Sequence, residues 1–288
     1  MIASTTQPGT RIAEAFARAR AESRGVLIPY LVAGDPDVET TIATLGAITS
    51  AGADIIELGI PYSDPVADGP TIAAAAKRAL DNGMTVDGAL EIAERAGRTG
   101  AAPILFFSYY NPILQYGLEH FARRACEAGA CGAIVPDVPL EETGPLREVF
   151  GRFGLVLPLL VAPTTPLERA VRITQTSEGF VYVVSRLGVT GAKREPDFAW
   201  IADRISQLRP SARLPLAVGF GVGTPQHVRT LVNLAVDGVI VGSALVDALA
   251  AAGSDAPGAA AAYVASLAAA LARSPHKGPV GGARLAAE

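Results

Sequence analysis

"ADIIELGIPYSDPVADGP", residues 53–70, is a short apolar run that ends on an acid and passes into a loop stiffened by Pro61, Pro65 and Pro70. Apart from Asp54, residues 53–56 are apolar, and Glu57 stands between Ile56 and Leu58. Such a run reads as a strand covered on both faces, as the strands of parallel sheets are. Because side chains alternate along a strand, Ile55 and Glu57 are expected on one face and Ile56 and Leu58 on the other. If the aliphatic pair meets a layer of helices, the glutamate points to the inner side of the sheet.

Runs of the same kind recur at 26–32, 53–58, 103–107, 132–135, 155–160, 179–184, 214–218 and 238–241. Between them lie segments of helical periodicity, such as "VETTIATLGAITSAG", "GLEHFARRACEAGA" and "PQHVRTLVNLAV". The wider gap after the second run holds two of them, "TIAAAAKRALDNG" and "TVDGALEIAERAG". This order predicts an α/β fold, a (β/α)8 TIM barrel with an extra N-terminal helix over 9–22 and an additional helix after strand 2. An open doubly wound sheet is the alternative, because closure leaves no local mark. The N-terminal helix reads equally as a plug for the lower mouth or as a surface helix. Gly52 and Gly129 stand where left-handed helix caps are wanted, and Thr224-Pro225 opens the seventh helix. Residues 1–274 read as one barrel domain, ending in an Ala-rich helix, and 275–288 as a disordered tail.

Half of the 288 residues are hydrophobic, 18% are charged and the formal net charge is −4, which describes a globular chain with a full interior. There is no basic stripe for nucleic acid, no signal-peptide core and no apolar span of membrane length, so a cytoplasmic protein is expected. Cys126 and Cys131 read as buried free thiols, and His120, His227 and His276 show no ligand spacing, so no metal site is expected.

In a closed parallel barrel, catalytic groups stand at the C-terminal ends of the strands and on the loops that follow. Glu57 is at such an end, where an ionised carboxylate loses on the order of several kcal/mol of hydration unless it is paired. Asp64 and Asp68 follow in the stiff loop, where they read either as functional acids or as Asx turns beside Pro and Gly. Two acids in different environments can divide labour, one exchanging protons and one staying ionised. After the seventh and eighth strands, "VGFGVGTP" and "VGSALVDAL" are glycine turns leading into helix N-termini, which suit a phosphate group. The polar loop "SRLGVTGAKREPDF" after strand six, with Gly188 and Gly191 around Thr190, reads as a lid or as an exposed linker.

With these pieces in place the chain closely resembles the tryptophan synthase alpha chain family. The stretches "PYLVAGDP" (29–36), "ELGIPYSDPVADGPTI" (57–72), "YYNP" (109–112), "VPDVPLEE" (135–142), "VSRLGVTGAK" (184–193), "VGFGV" (218–222) and "VGSAL" (241–245) run in family order. The resemblance implies cleavage of indole-3-glycerol phosphate to indole and glyceraldehyde 3-phosphate, with no cofactor in this chain. Glu57 matches the family's general acid/base and Asp68 the acid that holds the indole N–H. Gly191, Gly221, Gly242 and Ser243 match the phosphate grip. Tyr30, Tyr109 and Tyr182 match positions around the indole ring, Tyr30 carrying a hydroxyl where the family often has phenylalanine. Thr190 matches the lid threonine. Asp64 and the stretches from "YYNP" to "VPDVP" fall where the family meets its beta chain, which carries pyridoxal phosphate and joins it as α2β2. A free-standing indole-3-glycerol-phosphate lyase shares every catalytic residue and is the alternative. A noncatalytic regulatory barrel and another phosphate-binding barrel enzyme are disfavoured by the intact acids and glycine turns.

Overall fold

A computed structural model describes residues 7–185 and 196–273. The expected lid loop, with Thr190 and Gly191, and the tail expected from 275 lie outside the described residues. Among the described residues the elements run α1 (Thr10–Ala21), β1 (Val26–Val32), α2 (Val38–Ser50), β2 (Ile56–Gly59), α3 (Pro70–Asp81), α4 (Val86–Arg98), β3 (Ile104–Phe107), α5 (Tyr110–Tyr116), α6 (Leu118–Glu127), β4 (Gly132–Ile134) and α7 (Gly144–Arg152). They continue through β5 (Leu159–Val161), α8 (Leu167–Thr176), β6 (Val181–Val184), α9 (Phe198–Leu208), β7 (Leu216–Gly219), α10 (Pro225–Asn233), β8 (Gly238–Val241), α11 (Ser243–Ala252) and α12 (Ala256–Ala268).

All eight strands pair in parallel, in the order β4-β3-β2-β1-β8-β7-β6-β5. The two ends meet through a single parallel bridge, Gly132 with Val156, where Val156 N–H donates to Cys131 O at 2.9 Å and Ala133 N–H to Val156 O at 3.1 Å. This bridge turns the sheet into a barrel and decides against the open alternative. The seam depends on glycine, since a Cβ at Gly132 would lie 2.0 Å from the Val156 carbonyl oxygen. Pro158 has no N–H to give the ladder, which is why the apolar run 155–160 yields an isolated bridge and then a short strand.

Alternation along the strands sorts the core into two shells. Val26, Ile28, Tyr30 and Val32 of β1 belong to the inner cluster, and Leu27 and Leu31 to the outer one beneath the helices. In β2 and the residue before it, Ile55 is inner and Ile56 and Leu58 are outer, as the sequence pattern predicts. Helix α1 puts Ile12, Ala15, Phe16 and Ala19 into the inner cluster, and the Phe16 ring meets Phe180 at 5.8 Å between centroids. It therefore acts as the plug, and burying Phe16 alone contributes on the order of 2–3 kcal/mol.

Local signals start and stop many helices. Thr224 accepts from the His227 N–H at the head of α10, Asp37 does the same from Thr40 for α2, and Gly52 and Gly129 have φ of 109° and 75° after α2 and α6. One element departs from the sequence expectation: the segment after β3 holds two helices, α5 and α6, broken at Gly117 with φ 92°. The cap of α5 comes from another loop, since Tyr110 N–H donates to the Asp137 carboxylate at 2.9 and 3.1 Å. A cap 27 residues away gives no local signature.

Candidate active site

The register Tyr30–Glu57–Leu105 across β1, β2 and β3 aims Glu57 at the barrel axis, because Tyr30 and Leu105 are both inner residues. There it helps line a cavity at the C-terminal ends of the strands, open toward solvent. Glu57 is 1% exposed, and its Oε1 has no hydrogen-bond partner among the described residues. Burial alone holds its pKa well above the ordinary carboxyl value. Burial thus favours the protonated form of a carboxyl group aimed into a cavity.

Asp68 lies on the same cavity, on the loop between β2 and α3. Burial raises its pKa from 3.8 to about 6, against the opposing hydrogen bond from Tyr109. Asp68 therefore remains mostly ionised at pH 7, beside an acid that burial holds well above the ordinary carboxyl value. Tyr109 is not among the residues that line the cavity. Its hydroxyl accepts from Ala67 N–H at 3.0 Å and bonds to Asp68, and its ring packs on Tyr62 at 5.5 Å, so it braces the acidic loop from behind. Asp64 is exposed on that loop and accepts from the Ser63 hydroxyl at 2.6 Å.

Two tyrosines form the aromatic walls. Tyr30 packs edge-on against Phe107 at 5.7 Å, and Tyr182 against Phe220 at 5.9 Å. Each hydroxyl lies over a glycine at the end of a neighbouring strand. A Cβ at Gly59 would come 2.3 Å from the Tyr30 oxygen, and one at Gly219 2.4 Å from that of Tyr182.

The opposite wall is polar backbone. Phe220 and Gly221 follow each other at φ 72° and 76°, and the Ser185 hydroxyl donates to the Phe220 carbonyl. A left-handed phenylalanine costs roughly 1–2 kcal/mol, a strain held by the surrounding structure. Gly242 and Ser243 stand at the head of α11, so the positive end of that helix adjoins the cavity. Seven of the expected residues thus meet here: Tyr30, Glu57, Asp68, Tyr182, Gly221, Gly242 and Ser243. Ile72, Phe107, Phe220, Val222 and Ile240 also line the cavity and went unpredicted. Phe107 and Ile240 have strand positions that could have shown them, whereas Ile72 depends on how α3 folds back over the mouth.

Among the described residues no group of His, Cys, Asp and Glu could hold a metal ion, and no helix is long and apolar enough to cross a membrane. The fold and the cavity define a (β/α)8-barrel enzyme that sets a buried acid opposite two glycine turns. The sequence pattern of the tryptophan synthase alpha chain family matches residues 16–273. The alpha chain of Picosynechococcus is 46% identical over 245 residues, 84% of this chain and 91% of that protein. That of Geobacillus kaustophilus is 50% identical over 222 residues, 77% and 82% of the two chains. The structure of Mycobacterium tuberculosis tryptophan synthase superposes with a TM-score of 0.84 at 36% identity, covering 92% of this chain and 99% of that one. The chain belongs to the tryptophan synthase alpha chain family.

Proposed function

We propose that Glu57 and Asp68 carry out a retro-aldol cleavage of indole-3-glycerol phosphate on a phosphate held by Gly221, Gly242 and Ser243. Family membership makes this chain the alpha subunit of tryptophan synthase and a carbon–carbon lyase. In the proposed step the Glu57 carboxylic acid delivers its proton to indole C3, which makes the ring a positively charged indoleninium. The hydroxyl on the carbon next to the ring then loses its proton, the carbon–carbon bond to C3 breaks, and its electrons return to the ring. The products are indole and glyceraldehyde 3-phosphate, and the hydroxyl proton restores Glu57. Asp68, ionised at pH 7, accepts a hydrogen bond from the indole N–H and stabilises the transient positive charge.

Tyr30 and Tyr182 bound the indole, and Tyr109 keeps Asp68 in place. The site needs no cofactor for this chemistry. Pyridoxal phosphate belongs in a beta-chain partner, in an α2β2 assembly whose contact includes the exposed Asp64. Residues 1–274 serve as one barrel domain, and the reaction takes place in the cytoplasm. The observation that carries the reading is the buried Glu57, with a carboxyl oxygen free of hydrogen bonds among the described residues, facing the same cavity as Asp68 and the two glycine turns. The test is indole release by the purified chain, alone and with a beta chain of the same source. Slow release that the partner stimulates strongly supports the synthase subunit; fast release indifferent to the partner supports a free-standing lyase; no release under either condition refutes the assignment.

A further inference from the structure

The turn between β7 and α10 carries Gly221 and Val222 on the cavity, and its next peptide, at Gly223, is held from two sides by side chains that do not line the cavity. The Tyr263 hydroxyl, on α12, donates to the Gly223 carbonyl at 2.8 Å. The Gly223 N–H donates to His227 Nδ1, on α10, at 3.4 Å, which requires the imidazole proton on Nε2. The His227 ring is itself placed edge-to-face on Phe198 at 5.7 Å. On its third side the peptide abuts α11, where a Cβ at Gly223 would lie 3.0 Å from Ala244 Cβ. Ser185 ties the other end of the turn at the Phe220 carbonyl.

We infer that Tyr263 and His227 are positioning residues of the phosphate grip, holding the Gly223 peptide so that the Gly221 and Val222 backbone faces the bound phosphate. The inference rests on the proposed phosphate site. Its physical reason is that an amide serves an anion only along its N–H direction, and a glycine turn left to itself spreads over many directions. Fixing one peptide by both its donor and its acceptor removes that freedom before the ligand arrives, and so lowers the ordering cost of binding. The C-terminal helix α12, which otherwise packs on α2 and α11, thereby becomes part of ligand recognition.

The experiment uses the full chain and isothermal titration with inorganic phosphate and, separately, with indole. Tyr263→Phe keeps the ring and removes the hydroxyl. It is expected to weaken phosphate binding roughly fivefold, the equivalent of one neutral hydrogen bond. The KM for indole-3-glycerol phosphate should rise by a similar factor, while kcat and indole affinity stay as in the parent and the melting temperature falls by no more than a few degrees. His227→Asn, which offers an acceptor near the place of Nδ1, should retain phosphate affinity that His227→Ala loses. Unchanged phosphate binding in Tyr263→Phe overturns the inference, as does an equal loss of phosphate and indole binding, the mark of general loosening. A parent chain that binds no phosphate refutes the grip at Gly221 and the inference with it; a parent that binds and a variant that binds equally well refutes the inference alone.

Discussion

Asp68→Asn separates the role of this acid in stability from its role in chemistry. The fold raises the Asp68 pKa from 3.8 to about 6, chiefly by burial, so the folded chain favours the protonated acid. The stability this group contributes is complete below about pH 3.8 and is lost as pH rises through about 6. At about 1.4 kcal/mol for each pH unit between the two values the loss is about 3 kcal/mol, and partial contact of the side chain with water reduces it to about 2 kcal/mol. An asparagine never ionises and can still accept from the Tyr109 hydroxyl. The variant should therefore match the parent near pH 4 and exceed it by about 2 kcal/mol at pH 8, or roughly 4–8 °C in melting temperature. Its release of indole should fall by about 10²-fold or more, since an amide cannot stabilise a developing cation as a carboxylate does. Urea unfolding of both chains at intervals from pH 4.5 to 8 measures the first quantity, and the indole assay the second. A stability difference that stays flat with pH refutes the burial argument; a variant less stable than the parent at pH 8 shows instead that the carboxylate anchors its own loop.

Glu57→Gln keeps the shape of the side chain and removes its transferable proton, so its melting temperature at pH 7 should lie within a few degrees of the parent's, while indole release drops by about 10²- to 10⁴-fold; a large loss of stability would mean that the glutamate is structural. Gly221→Asp places a negative charge at a left-handed position of the proposed phosphate grip, φ 76°, and should raise KM for the phosphate substrate strongly; steady-state kinetics with an unaltered KM would remove Gly221 from the site. Gly59→Ala would set a Cβ 2.3 Å from the Tyr30 hydroxyl and should destabilise by about 1–3 kcal/mol, part of which Tyr30→Phe restores. Thermal unfolding of the two single variants and the double variant checks this, and strict additivity would show that the two residues do not press on each other.

The eight strand runs and the helices between them were legible in the sequence because the faces of an element are written in its own periodicity. Ile55, Glu57, Ile56 and Leu58 took the sides that alternation assigned them, and Thr224, Gly52 and Gly129 ended or began helices through groups within a turn of themselves. Seven of the residues singled out through the motif resemblance line one cavity.

What remained belongs to contacts between segments far apart in the chain. Whether the sheet closes depended on the bridge at Gly132 and Val156, and whether α1 plugs the barrel depended on Phe16 reaching Phe180. The start of α5 depended on Asp137, and the place of Tyr109 on its bond to the Ala67 amide. The sequence by itself determined which residues the barrel would bury and which acids would stand at its mouth. Only the tertiary structure decided that burial pushes the Glu57 carboxyl well above its ordinary value, that it pushes Asp68 up to about 6, and that Tyr263 and His227 reach one glycine peptide, because desolvation and hydrogen bonding are set by neighbours that local periodicity does not encode.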